Sequence, residues 1–108
     1  MAGNDLAPPV QAMLDAANGG DLPRFLSIFT EDGVVDDWGR EFRGATQIKA
    51  WSDAEFIGKR VSLAVEGVER HGGETVVTAQ VGGDGFNGPS HFTFAVAGDK
   101  VSRMTIRA

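Results

Sequence analysis

Apolar and polar residues follow two different periods along this chain, and the change falls near Val61. Before it the pattern is helical. Pro8-Pro9 opens a stretch with apolar residues at Val10, Met13, Leu14 and Ala17, the spacing of one helical face. Asn18-Gly19-Gly20 ends it, because glycine tolerates a left-handed cap. Asp21 caps a second helix that has Pro23 in its first turn and carries Phe25, Leu26, Ile28 and Phe29. Glu31-Asp32-Gly33 breaks that helix, and Val34 to Trp38 reads as a short strand onto which Glu41-Phe42-Arg43 folds back as a hairpin. Gly44-Ala45 leads into a third helix, capped by Thr46, with Ile48, Trp51 and Phe56 for its buried side.

From Val61 onward the period is two: Val61, Leu63 and Val65 alternate with Ser62, Ala64 and Glu66. His71-Gly72-Gly73 reads as a turn, Glu74 to Val81 as the returning strand, and Gly82-Gly83-Asp84-Gly85 as a second turn or bulge. A third strand covers about Asn87 to Ala97, broken near its start by Gly88-Pro89. Gly98-Asp99 turns into a last strand, Lys100 to Arg107, with Val101, Met104 and Ile106 apolar. Helices followed by meandering antiparallel strands predict an α+β fold, with three N-terminal helices packed on one face of a curved sheet. No repeat or linker interrupts the 108 residues, so residues 1–108 form one domain.

Composition narrows the function classes. Hydrophobic residues make up 42% and charged residues 23%, which fits a folded protein. Ten Lys and Arg against fifteen Asp and Glu give a net charge of −5, and the basic residues are scattered, which argues against nucleic-acid binding. No apolar run approaches the ~20 residues that cross a bilayer. Met1 to Asp5 shows no secretion signal, so a cytoplasmic protein is expected. The absence of cysteine removes disulfides, thiolate ligands and a cysteine nucleophile.

The candidate chemistry centres on Asp36-Asp37-Trp38. Side chains alternate across a strand, so one aspartate faces inward and the other faces water. An inward carboxylate beside an indole is desolvated, and desolvation raises a carboxyl pKa towards that of a useful base. The same residues also fit a turn completed by Gly39, with Trp38 as a lid on the core. Arg40 and Arg43 read as surface charges, although Arg43 in reach of Asp37 would lower its pKa. His71 and His91 with scattered carboxylates show no metal-ligand spacing. Ser27, Ser52 and Ser90 lack a nucleophile-elbow context, and the glycine-rich turn at 82–85 has no following helix to cradle phosphate.

The segments Ala17-Asn18-Gly19-Gly20-Asp21, Phe29 to Asp37 and Arg43-Gly44-Ala45-Thr46-Gln47-Ile48 resemble the nuclear transport factor 2-like superfamily. The resemblance is to its SnoaL-like branch, which includes polyketide cyclases, and the superfamily also holds ketosteroid isomerase. It covers nearly the whole chain, down to the terminal hairpin with Met104-Thr105-Ile106. It implies a mainly antiparallel, mixed sheet forming a cone-shaped pocket. The superfamily uses that pocket for isomerases, cyclases, dehydratases, epoxide hydrolases and binding domains, so activity rests on site residues. The isomerase's proton-shuttling aspartate falls on Asp37, which leaves Asp36 as the solvated member of the pair. Its oxyanion-hole tyrosine falls on Met13 and its second donor on Ser90. The chain has no tyrosine at all, which argues against steroid isomerisation by that mechanism.

The histidines differ. His71 lies in a polar turn, whereas His91 lies in a strand next to Ser90. Phe92 and Phe94 should face inward together with Ser90, which puts His91, Thr93 and Ala95 on the outer face, a dimer surface in many relatives. A bulge at Gly88-Pro89 would invert that parity and make His91 a pocket acid–base group. Asp37, Ser90 and His91 are therefore the catalytic candidates. Phe25, Phe29, Trp38, Trp51, Phe56, Phe92 and Met104 are the candidates to line an apolar, small-molecule pocket, unless the aromatic rings simply fill it. Two classes of function follow. One is a cofactor-independent isomerase, cyclase or lyase acting on a hydrophobic small molecule with Asp37 as base. The other is a non-catalytic ligand-binding or homodimerising domain, favoured if the aromatic rings collapse or Asp37 is paired to Arg43.

Overall fold

The computed structural model describes residues 6–108. Helix α1 spans Pro8–Asn18, with its prolines in the first turn, where a missing N–H costs nothing. It buries Val10, Met13, Leu14 and Ala17 as one face. Asp21 accepts a hydrogen bond from the Arg24 N–H at 3.2 Å and caps α2, Leu22–Ile28. Helix α3, Gly44–Glu55, starts earlier than its sequence suggests. Its cap is Arg43, whose N–H donates to Gln47 Oε1 at 2.9 Å, so Thr46 lies inside the first turn rather than before it. A 3₁₀ turn, Ile57–Lys59, follows.

The strands are β1 Phe29–Asp37, β2 Arg40–Arg43, β3 Ser62–His71, β4 Glu74–Gly82, β5 Gly88–Ala97 and β6 Lys100–Arg107. They form one six-stranded sheet in the order β2-β1-β6-β5-β4-β3. Every pairing is antiparallel except β1 with β6, which is parallel. The fold is therefore α+β, as the periodicity predicts, with the mixed, mainly antiparallel sheet that the family resemblance implies. Three readings change. β1 begins at Phe29 rather than Val34, because Thr30 to Gly33 bulge out between Phe29↔Val101 and Val34↔Arg103 instead of breaking the chain. β5 is continuous through Gly88-Pro89, and its register slips between Ala95 and Val96 instead. Val65, on the edge strand β3 just before a register slip to Gly67, is 39% exposed, although Val61 and Leu63 are buried as predicted.

The core lies between the helices and the concave face of the sheet. Val35, Val77, Ala79, Phe92, Phe94, Val101 and Met104 meet Val10, Met13, Phe25, Ile48 and Trp51 there. At the end of α1, the Asn18 amide accepts from the Leu63 N–H at 2.7 Å and donates to its carbonyl at 3.1 Å, fixing the helix to β3. No helix among the described residues is long and apolar enough to cross a membrane.

Candidate functional site

A cavity of about 330 Å³ opens at one end of the sheet, at the lower end of the range typical of ligand pockets. Its wall comes from the end of β1, the last turn of α3, the 3₁₀ turn, the β4–β5 loop and the start of β5. The apolar lining includes Trp51, Phe56, Val61, Val81, Phe92 and Ile106. The polar lining is small: Asp37, Ser90 and Glu55, with Arg40 and Lys59 bringing two positive charges.

Asp37 ends β1 opposite Ile106 on one side and Arg40 on the other. Its Oδ2 accepts two hydrogen bonds, from Trp51 Nε1 at 3.0 Å and from Arg40 Nη2 in a closer ion pair. Among the described residues no group donates to Oδ1, which leaves that oxygen to the cavity. Arg40 also binds both oxygens of Glu55, at 2.7 and 2.9 Å. Glu55, and then Asp37, hold its guanidinium more firmly protonated than usual. In return Arg40 holds the Glu55 carboxyl below its ordinary pKa. The arginine near Asp37 is thus Arg40, not Arg43, whose guanidinium reaches the Asp32 carbonyl at 3.3 Å. The short β1–β2 turn decides this, because it sets Arg40 directly across from Asp37.

Strand alternation does send Asp36 to the opposite face from Asp37, but that face gives it no solvent: Asp36 is only 7% exposed. Its cross-strand partner on β6 is Thr105, and the arginines two residues to either side close on its carboxylate. Arg107 donates at 3.0 and 3.3 Å, Arg103 at 2.8 Å, and the Gly39 N–H at 2.8 Å. The Arg107 hydrogen bonds are the largest influence and outweigh burial, bringing the Asp36 carboxyl down to about 2. Asp36 is therefore an anchor for the β1–β2 turn and not a free surface acid.

Ser90 faces the cavity with its hydroxyl bonded to no protein group among the described residues, and is buried beside Phe92. His91, next in sequence, is exposed on the convex face between Thr78 and Arg107, because β5 keeps its register through Gly88-Pro89. The structure brings Asp37 and Ser90 to one cavity and leaves His91 outside it. Of the predicted lining residues, Trp38, Trp51, Phe56 and Phe92 reach the cavity. Phe25, Phe29 and Met104 do not; they lie in the core below, where Phe25 packs edge-on against Phe29 at 5.4 Å. The aromatic rings neither collapse onto Asp37 nor leave a large void: Trp51 stacks on Phe56 at 4.9 Å and Phe56 tilts towards Phe92. Arg40, Glu55 and Lys59 were not legible as site residues, since each reads as an ordinary surface charge until α3 and the β1–β2 turn are placed side by side. Among the described residues no group of three or more His, Cys, Asp or Glu side chains could hold a metal ion.

Three helices packed on a six-stranded mixed sheet are consistent with the nuclear transport factor 2-like cone fold. The chain belongs to the SnoaL-like domain family, whose model matches residues 10–104. A proposed polyketide cyclase from Sinorhizobium meliloti is similar over 99% of this chain and 100% of its own, with 23% identity and a TM-score of 0.86. A protein from Catenulispora acidiphila with a ketosteroid isomerase-like fold, solved with trimethylamine, is 22% identical over 93% of this chain and 84% of its own, with a TM-score of 0.77. A computationally designed 17-OHP binder shares 16% identity over 93% of this chain and 87% of its own, with a TM-score of 0.78. No curated protein sequence matches the chain.

Proposed function

We propose that this protein binds a hydrophobic small molecule in the cavity and moves a proton with Asp37, in a cofactor-independent reaction of the isomerase, cyclase or lyase type. One observation carries the reading: both donors to the cavity-lining Asp37 grip Oδ2, and no group among the described residues donates to Oδ1. A general base works when its acceptor atom is positioned within hydrogen-bond reach of the substrate proton. Ser90 offers a hydroxyl for a substrate oxygen in the same apolar setting. It is one donor, so any negative charge that develops on the substrate is only modestly stabilised. The neighbours solved with trimethylamine and built to bind 17-OHP support a ligand role for this fold.

Asp37→Asn keeps the shape and removes the base. In crystals and solution screens with aromatic polyketide and terpenoid ligands, turnover should fall by about 10²-fold or more while binding changes little. Unchanged turnover removes Asp37 as the base. A second reading is favoured by the Arg40 ion pair, which already satisfies half of the carboxylate. In it the domain binds its ligand without reacting, and the wild-type protein then binds without turnover. The proposal also includes a cytoplasmic homodimer joined through the convex face around His91, Thr93 and Ala95; a monomer by light scattering at high micromolar concentration removes the dimer.

A further inference from the structure

Among the described residues three large apolar side chains are exposed, and two of them, Trp38 at 58% and Phe86 at 56%, border the cavity. Both are held out by constrained backbone. Trp38 and Gly39 form a two-residue hairpin turn with φ of 55° and 90°. Such turns favour asparagine or glycine at the first of these positions, and a bulky ring there is strained. The turn is nevertheless fixed: the Trp38 N–H donates to the Ile106 carbonyl at 3.2 Å and Asp36 binds the Gly39 N–H. Phe86 stands on a loop tied by Asn87, whose amide donates to the carbonyls of Gly83 and Gly85, and its ring covers Gly88, where a Cβ would approach to 3.2 Å.

Strain held in place next to a cavity points to function rather than to folding. The rings at the mouth border the same cavity whose wall Trp51, Phe56 and Phe92 line with flat surfaces. Flat conjugated molecules gain most from such walls, through offset stacking beyond the area they bury. The polar groups select further: Asp37 Oδ1 accepts an acidic proton, and Ser90 donates to an oxygen. Resting on the reading of Asp37 and Ser90 given above, we infer that the site takes small planar enols or phenols, and that Trp38 is the specificity-determining residue that stacks on them at the mouth.

The test compares 2-naphthol with decahydro-2-naphthol, which has the same skeleton without flat rings, by calorimetric titration of the wild-type protein, Trp38→Asn and Phe86→Ser. The wild type should prefer 2-naphthol by roughly threefold to tenfold. Trp38→Asn should cut that preference by at least half and at the same time raise Tm by about 4 °C, because asparagine relieves the strained turn. Phe86→Ser should reduce the preference less, and without the gain in Tm. Equal binding of the two alcohols by the wild type, or a preference undiminished in Trp38→Asn, overturns the stacking role and leaves the cavity reading intact. A lower Tm in Trp38→Asn with unchanged binding makes Trp38 a cover for the core and also overturns it. Failure of both alcohols to bind removes this inference and the small-molecule reading together.

Discussion

Trp51 donates its indole N–H to Oδ2 of Asp37 at 3.0 Å while its ring stacks on Phe56 at 4.9 Å. One side chain thus joins the aromatic floor of the cavity to the aspartate in its wall. Trp51→Phe keeps much of the ring and deletes the donor. A hydrogen bond to a charged group contributes about 1.5–3 kcal/mol, so urea denaturation should show a loss of that order. A loss under about 0.5 kcal/mol would mean that Arg40 alone orients the carboxylate.

Ser90 makes the opposite prediction. Its hydroxyl lines the cavity and serves no protein partner among the described residues, so Ser90→Ala should change stability by no more than about 0.5 kcal/mol. Affinity for any oxygen-bearing ligand of the cavity should fall by several-fold. A marked loss of stability in thermal melts would show that the hydroxyl supports the fold instead.

Asp36 makes a pH prediction. Its carboxyl lies at about 2 in the folded protein, against an ordinary 3.8. A depressed folded value stabilises the protein above the unfolded pKa, and that stability is lost as pH falls from about 4 to about 2. The difference corresponds to about 2 kcal/mol. Denaturation midpoints taken at intervals from pH 6 to pH 2 should decline through that window. In Asp36→Asn the same series should be flatter and should start lower, since Arg103 and Arg107 lose their shared anion.

Gly58 tests how firmly the 3₁₀ turn shapes the cavity. A Cβ there would overlap the Asp53 carbonyl oxygen near the end of α3. Gly58→Ala must therefore push the turn away, at a cost above about 2 kcal/mol. Because Phe56 and Lys59 flank it in the cavity wall, ligand affinity should fall as well; a stable variant with normal affinity would show that the turn is adaptable.

What the sequence discloses depends on the range of the interaction. Helix faces and strand parity are local, so Val10, Met13, Leu14 and Ala17, or Ser90, Phe92 and Phe94, could be placed from spacing alone. Parity also separated Asp36 from Asp37. It could not foresee that Arg103 and Arg107 enclose Asp36, because that depends on the register of β1 against β6. The choice of Arg40 over Arg43 depends on a two-residue turn whose first residue is tryptophan, which carries none of the usual turn signal. Depth was illegible too: Phe25, Phe29 and Met104 point to the same side as the cavity residues but stop beneath it.

The parallel pairing of β1 with β6 also sets when the site can exist. Asp36 and Arg107 are 71 positions apart, and Asp37 reaches its neighbour Ile106 across a similar span. Contacts of that range carry the entropy cost of closing the intervening loop. The helices and the β3–β5 meander find partners nearer in the chain, but without β6 beside β1 the aspartate has no wall on that side. The cavity therefore depends on the most distant pairing in the sheet, and any change that loosens the β1–β6 pair opens the site before it disturbs the helices.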